Sequence, residues 1–184
     1  DLIRVCCFYK ILDRSKDVIM HLHSKGYNLT LNVMYASHLT KNEITNIKEF
    51  VKETPIEYLY FADSIGGLTG DDTINFFTDL KDIYPIKNGF HNHDNNGTVF
   101  NNIDNILKHN IDIIDTTING FGKNGGNTPF ELVILYLIIK ENYSYNINKL
   151  LEFLDKIQSI YFYENKKIDL IKIKEMLQQF YNIH

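Results

Sequence analysis

The stretch Tyr84-Pro-Ile-Lys-Asn-Gly-Phe90, followed at once by His91-Asn92-His93-Asp94-Asn95, is an apolar run that ends in metal-capable polar side chains. It reads as a buried strand with its polar tip at the C-terminal end. Successive strand side chains point to opposite faces, so His91 and His93 point the same way. Two imidazoles side by side at a strand end can chelate one metal ion; a pair of surface histidines at a loop start has the same spacing. Two further polar clusters, Ala62-Asp63-Ser64 and Asn119-Gly-Phe-Gly-Lys-Asn-Gly-Gly-Asn127, also follow directly on strand-like runs.

Outward from this stretch the pattern repeats. Apolar strand-like runs lie at Leu2–Cys7, Leu29–Met34, Glu57–Ala62, Ile86–His91 and Ile111–Thr116, with starts 25 to 29 residues apart. Between them, Val18–His23, Ile44–Val51, Thr73–Ile83 and Phe100–Lys108 space their apolar residues as helices do. Thr40 with Glu43 forms a capping box, Asp71 or Asp72 can start the third helix, and Gly26 stands where a helix C-terminal glycine belongs. Strand, helix, strand at a fixed interval means βαβ units and a parallel sheet. An open doubly wound sheet and a closed (β/α)8 barrel both repeat this unit. The barrel is favoured because every strand ends in a chemically capable cluster, and a barrel brings all those ends to one face.

A barrel needs eight units and the chain supplies five, beginning with Asp1. The expectation is therefore an α/β fold, a partial TIM (β/α)8 barrel holding strands 4 to 8, with the first three units upstream. Residues 1–140 would form this part of the catalytic domain. Residues 141–184 would form a helical C-terminal extension, with patterns at Asn148–Tyr161 and Ile168–Tyr181. Their apolar stripes, Leu151, Leu154, Ile157 and Tyr161, then Ile168, Ile171 and Leu177, read as packing surfaces rather than as a cofactor box.

Composition narrows the function classes. The 184 residues are 44% hydrophobic and 13% aromatic, with a net charge of −4 and a pI near 6.0. That charge gives no electrostatic case for nucleic acid or a membrane surface. The longest apolar stretch, Leu132 to Ile139, is too short to span a bilayer, and the cytoplasm is the expected compartment. Cys6 and Cys7 are adjacent in a strand-like run and face opposite ways, so no disulfide framework is expected. Gly120-Phe-Gly-Lys-Asn-Gly125 matches a dinucleotide-binding fingerprint, but it closes the last unit instead of opening one, and is set aside.

Several of these stretches together resemble the HMG-CoA-lyase-like metalloenzymes, a superfamily of TIM barrels that includes 4-hydroxy-2-oxovalerate aldolase and isopropylmalate synthase. The resemblance covers roughly Asp1 to Leu137. Asp1-Leu-Ile-Arg-Val5 is similar to the family's fourth strand, Ser37-His38 with Glu43 to the end of the fifth, and Tyr60-Phe-Ala-Asp-Ser-Ile-Gly-Gly67 to the sixth. Gly89-Phe-His-Asn-His-Asp-Asn-Asn-Gly97 and Asp115-Thr-Thr-Ile-Asn-Gly-Phe-Gly-Lys-Asn-Gly-Gly-Asn127 resemble the seventh and eighth, and are the most specific of the set.

The resemblance implies that His91 and His93 are two ligands of a divalent cation, Mn2+, Mg2+ or Zn2+. The third ligand, an Asp at the end of the first strand, would lie outside this chain. Ser37 matches a substrate-lining residue of the aldolases, and Asp63, Asn95 and Asn127 are candidates to support the ligands from behind. The implied reaction is cleavage of a 4-hydroxy-2-oxo acid to pyruvate and an aldehyde, with a homodimer or a dehydrogenase as partner. Lys123-Asn124 replaces the Glu-Arg pair of the synthases, and neither cysteine lies near the loop where acyl-CoA lyases carry one, which favours the aldolases. An acyl-CoA-dependent Claisen-type synthase and a non-catalytic partial-barrel binding module are the alternatives. Asp94 departs from the family's Asn, and could alter metal preference or hydrogen-bond to His91. The family's general base would lie outside this chain, with Tyr35 and His38 as the alternatives within it.

Overall fold

The computed structural model describes residues 1–79, 86–109, 111–123, 125–141 and 143–160. Five strands, β1 (Leu2–Phe8), β2 (Asn28–Met34), β3 (Ile56–Asp63), β4 (Lys87–Asn92) and β5 (Ile113–Ile114), alternate with four helices. These are α1 (Leu12–Ser24), α2 (Lys41–Lys52), α3 (Gly70–Asp79) and α4 (Val99–Lys108); α5 (Phe130–Glu141) and α6 (Ile147–Ile160) follow. Every strand pair is parallel, in the order β1-β2-β3-β4-β5. A doubly wound sheet reverses its strand order at a switch point. Sequential order without reversal is that of a (β/α)8 barrel, and this chain carries part of one.

The residues explain the elements. Thr40 Oγ1 accepts from the Glu43 backbone N–H at 3.3 Å while Glu43 Oε2 accepts from the Thr40 N–H at 2.8 Å, the expected capping box of α2. Gly26, at φ +84°, closes α1: its N–H donates to His23 O, and the Tyr27 N–H donates to Leu22 O. α1 begins at Leu12, a turn and a half before the periodicity announces it. Ser15 occupies a core position there and hides the apolar stripe, its hydroxyl donating to Leu12 O at 2.6 Å. β5 is shorter than expected, with two ladder residues. The expected strand start at Tyr84-Pro85, the end of the third helix beyond Asp79, and the stripe residues Tyr161, Ile168, Ile171 and Leu177 lie outside the described residues.

The chain forms two compact units. The first, Asp1–Asp115 with Lys123–Gly126, contains the whole sheet. One sheet face, with Leu29, Leu31, Val33, Leu59, Phe61 and Phe90, is sealed under α1, α2 and α4 by Ile19, Ile47 and Ile106. The other face carries Arg4, Cys6, Phe8, Asn32, Tyr60 and His91. The second unit, Thr116–Gly122 with the chain from Asn127 on, has its own core, in which Leu135 and Ile138 of α5 pack with Ile147, Leu151, Leu154 and Ile157. Among the described residues no helix is long and apolar enough to cross a membrane.

Candidate metal centre

β4 brings His91 and His93 to the same face, with ring centroids 5.1 Å apart and planes at 75°. With metal–nitrogen bonds of about 2.1 Å, two imidazoles sharing one ion at roughly a right angle set their centroids about 5 Å apart. The centroid spacing is one that a shared cation would allow. Among the described residues no group of three or more His, Cys, Asp or Glu side chains gathers as a cation site.

Behind His91 stands a residue the sequence reading gave no role. Asp115 is fixed at the end of β5 by its backbone N–H, which donates to Phe90 O at 2.9 Å. Its Oδ2 lies 3.1 Å from His91 Nδ1. Arg4 grips the same carboxylate with two nitrogens, one of them 3.1 Å from Oδ1. Burial by itself would raise the Asp115 pKa; the hydrogen bonds from His91 and Arg4 outweigh it and hold the carboxyl below its ordinary value. An ionised carboxylate only accepts, so Asp115 engages the Nδ1–H of His91, and in the neutral imidazole this leaves Nε2 as the nitrogen that could ligate a metal.

Arg4 reaches Asp115 from β1 across the polar face of the sheet, passing over the Tyr60 ring with its guanidinium carbon 3.8 Å from the ring centroid. The guanidinium pKa is raised, chiefly by the Asp115 hydrogen bond. Tyr60 in turn lies against β4 at Gly89. A Cβ at that position would come within 2.4 Å of the ring. Four elements thus contribute to one continuous polar contact: Arg4, Tyr60, Asp115 and His91.

The candidates for support behave differently from one another. Asp63 is fully buried, and its carboxylate accepts the N–H groups of Gly67 at 3.0 Å and Leu68 at 2.7 Å. Its backbone oxygen accepts the His93 N–H at 3.3 Å, so Asp63 shapes the β3–α3 turn and steadies the backbone of the second histidine. Asn95 donates to Ile65 O at 2.9 Å and accepts from the Gly125 N–H at 2.9 Å, clipping two loops together. Asp94 Oδ1 accepts the Val99 N–H at 3.1 Å, so this departure from the family pattern anchors the start of α4.

Ser37 sits on a short turn after β2 and lines a separate cavity of about 300 Å³ with Gly67, Asp72 and Asn75. Asn127 belongs to the second unit, where its Nδ2 donates to Phe121 O at 3.0 Å and its side chain occupies the space a Cβ at Gly122 would need. In the same unit Glu131, nearly fully buried, takes the Asn119 N–H with both oxygens at 2.9 and 3.0 Å. Burial pushes its pKa up, against the hydrogen bonds. Asn119 itself is held at φ +52°.

A partial (β/α)8 barrel with its histidine pair at a strand's C-terminal end is the class that this fold and site define. Residues 5–159 match the family model HMGL-like, and the chain belongs to that family. It is 26% identical over 141 residues to 4-hydroxy-2-oxovalerate aldolase 2 of Salinispora arenicola, covering 77% of this chain and 40% of that protein. It is 24% identical over 127 residues to 2-isopropylmalate synthase 2 of Caldanaerobacter subterraneus subsp. tengcongensis, covering 69% of this chain and 33% of that one. The chain therefore spans less than half the length of these relatives. Hydroxymethylglutaryl-CoA lyase from Pseudomonas aeruginosa superposes with a TM-score of 0.77 at 15% identity, over 97% of this chain and 68% of that one, a likeness of fold.

Proposed function

We propose that this chain is part of a divalent-metal-dependent aldolase that cleaves a 4-hydroxy-2-oxo acid to pyruvate and an aldehyde. The observation that carries the reading is the His91–His93 pair with the Nδ1 side of His91 engaged by Asp115. His91 and His93 would hold the cation, Mn2+, Mg2+ or Zn2+, with a third ligand from outside the described residues. When bound, the cation supplies Lewis-acid stabilisation of negative charge on the oxygens of a 2-oxo acid. Asp115 keeps the proton on Nδ1 of His91, and Arg4 keeps Asp115 ionised and in place. In the cleavage the C3–C4 bond breaks and its electron pair stays with the three-carbon half. The 4-hydroxyl gives its proton to a base as the aldehyde leaves, and protonation at C3 completes pyruvate.

The test pairs retention with turnover. Replacing His91 and His93 together by Ala should abolish metal retention, read by elemental analysis after gel filtration; unchanged metal content would sink the assignment. Given Mn2+, the complete protein of which this chain is part should release pyruvate from a 4-hydroxy-2-oxo acid. Release of free CoA from acetyl-CoA and a 2-oxo acid would place it instead with the synthases. A dehydrogenase or a second copy of the chain as partner belongs to the same proposal, and is tested by co-purification with the aldehyde-consuming activity.

A further inference from the structure

At the C-terminal ends of β1 and β2 a cavity of about 440 Å³ opens, within the size range of small-molecule sites. Its apolar wall is Phe8, Ile11, Met34, Tyr35 and Leu39. Phe8, Ile11 and Tyr35 are each more than a third exposed, which places three large hydrophobic side chains at one spot on the surface. Phe8 stacks on Tyr35 at 5.6 Å, and Tyr35 on His38 at 5.9 Å. Tyr35 is held at φ +61°, a backbone region that residues with a Cβ rarely adopt, and its N–H donates to Ser64 Oγ at 3.1 Å. The turn thus presents an aromatic ring to solvent against its local preference, and strain of this kind gathers at ligand sites.

The strand register ties this cavity to the histidines. Phe8 pairs with Met34, Met34 with Ala62, and Ala62 with His91. Residues paired in this way share a face, so two walls of the cavity stand on the same rung as His91. Ala62 stands between Met34 and His91 on that rung and is buried, and Met34 lies about 10 Å from His91 at two strand spacings. A ligand whose polar head sits at the histidines therefore needs an apolar tail of about that length to reach the cavity, passing over the residues that cover Ala62.

We infer that the Phe8–Tyr35 cavity binds the aldehyde half of the substrate, and that this half is an aromatic ring or alkyl chain several carbons long, not the single methyl of acetaldehyde. The inference rests on the aldolase reading for its head group, but its binding arm needs neither metal nor turnover. Ligand-observed NMR on the full chain should show 2-phenylethanol binding well above ethanol. Tyr35→Gly, which accepts the positive φ without strain, should lose that preference, and Phe8→Ala should reduce it, with circular dichroism confirming the fold of both. Equal binding of the two alcohols, or binding untouched in a folded Tyr35→Gly, would overturn the cavity assignment. In the activity arm, the complete Mn2+-loaded protein should cleave 4-hydroxy-2-oxo-6-phenylhexanoate with a kcat/KM about tenfold or more above that for 4-hydroxy-2-oxopentanoate. Comparable cleavage of both would overturn the inference and leave the aldolase reading standing. Cleavage of neither, with the aromatic alcohol still bound through Tyr35, would remove the aldolase reading and keep the cavity.

Discussion

Asp115 is the residue on which the candidate centre depends, because its contact with Nδ1 sets which nitrogen of His91 would face a metal. Asp115→Asn keeps the shape but can present its NH2 to Nδ1 and favour the opposite tautomer. It should weaken Mn2+ binding about 10- to 100-fold, measured by titration calorimetry, as loss of a carboxylate behind a ligating histidine usually does. Unchanged affinity would show that the 3.1 Å contact has no bearing on the metal. Glu131 gives a prediction of the other kind. Its pKa is higher folded than unfolded, because burial disfavours the charge. Such a group stabilises the fold below the unfolded pKa, and that contribution is lost as pH rises through the folded pKa. Glu131→Gln removes the dependence, so its melting temperature relative to the parent should rise from pH 4 to pH 7; a flat difference would contradict the burial argument. His91 and His93 were legible because a two-residue spacing at a strand end fixes a common face. Asp115 and Arg4 were not, since their pairing joins β5 to β1 and no local pattern records it.

At the scale of elements, β4 shows how packing rather than propensity places a residue. Gly89 weakens a strand on its own account, yet it is the residue that lets the Tyr60 ring lie against β4 and under Arg4. Gly89→Ala should lower stability by about 1–3 kcal/mol, as overpacking does, read from urea unfolding. A second change, Tyr60→Leu, should recover part of the loss by making room for the methyl. No recovery would mean that the glycine serves the backbone and not the ring. The elements that announced themselves did so through chemistry independent of tertiary context: the Thr40–Glu43 cap and the Gly26 terminus both stand where the sequence placed them. The start of α1 did not, because Ser15 is a polar residue in a core position and its hydroxyl is satisfied within the helix. Asp63 was read as structural or supporting, and its two backbone N–H contacts give it the structural part.

At the scale of the whole molecule, the near-constant interval between strand-like runs carried the architecture. Repetition of one βαβ unit leaves few topologies, and strand order then separates them. What the interval could not convey is that the two sheet faces are unlike, one sealed by helices and the other polar. That asymmetry has a practical consequence through two neighbours on β1. Cys6 is exposed on the polar face, while Cys7 is buried in the helix-packed core, and burial pushes its thiol up to about 11 despite the Ser15 hydroxyl beside it. A buried, protonated thiol is inert until the fold opens. Iodoacetamide at pH 8 should therefore add one label quickly and a second only at the rate of global opening, followed by intact mass. The molecule carries its own clock for unfolding next to its own internal standard, one peptide bond apart.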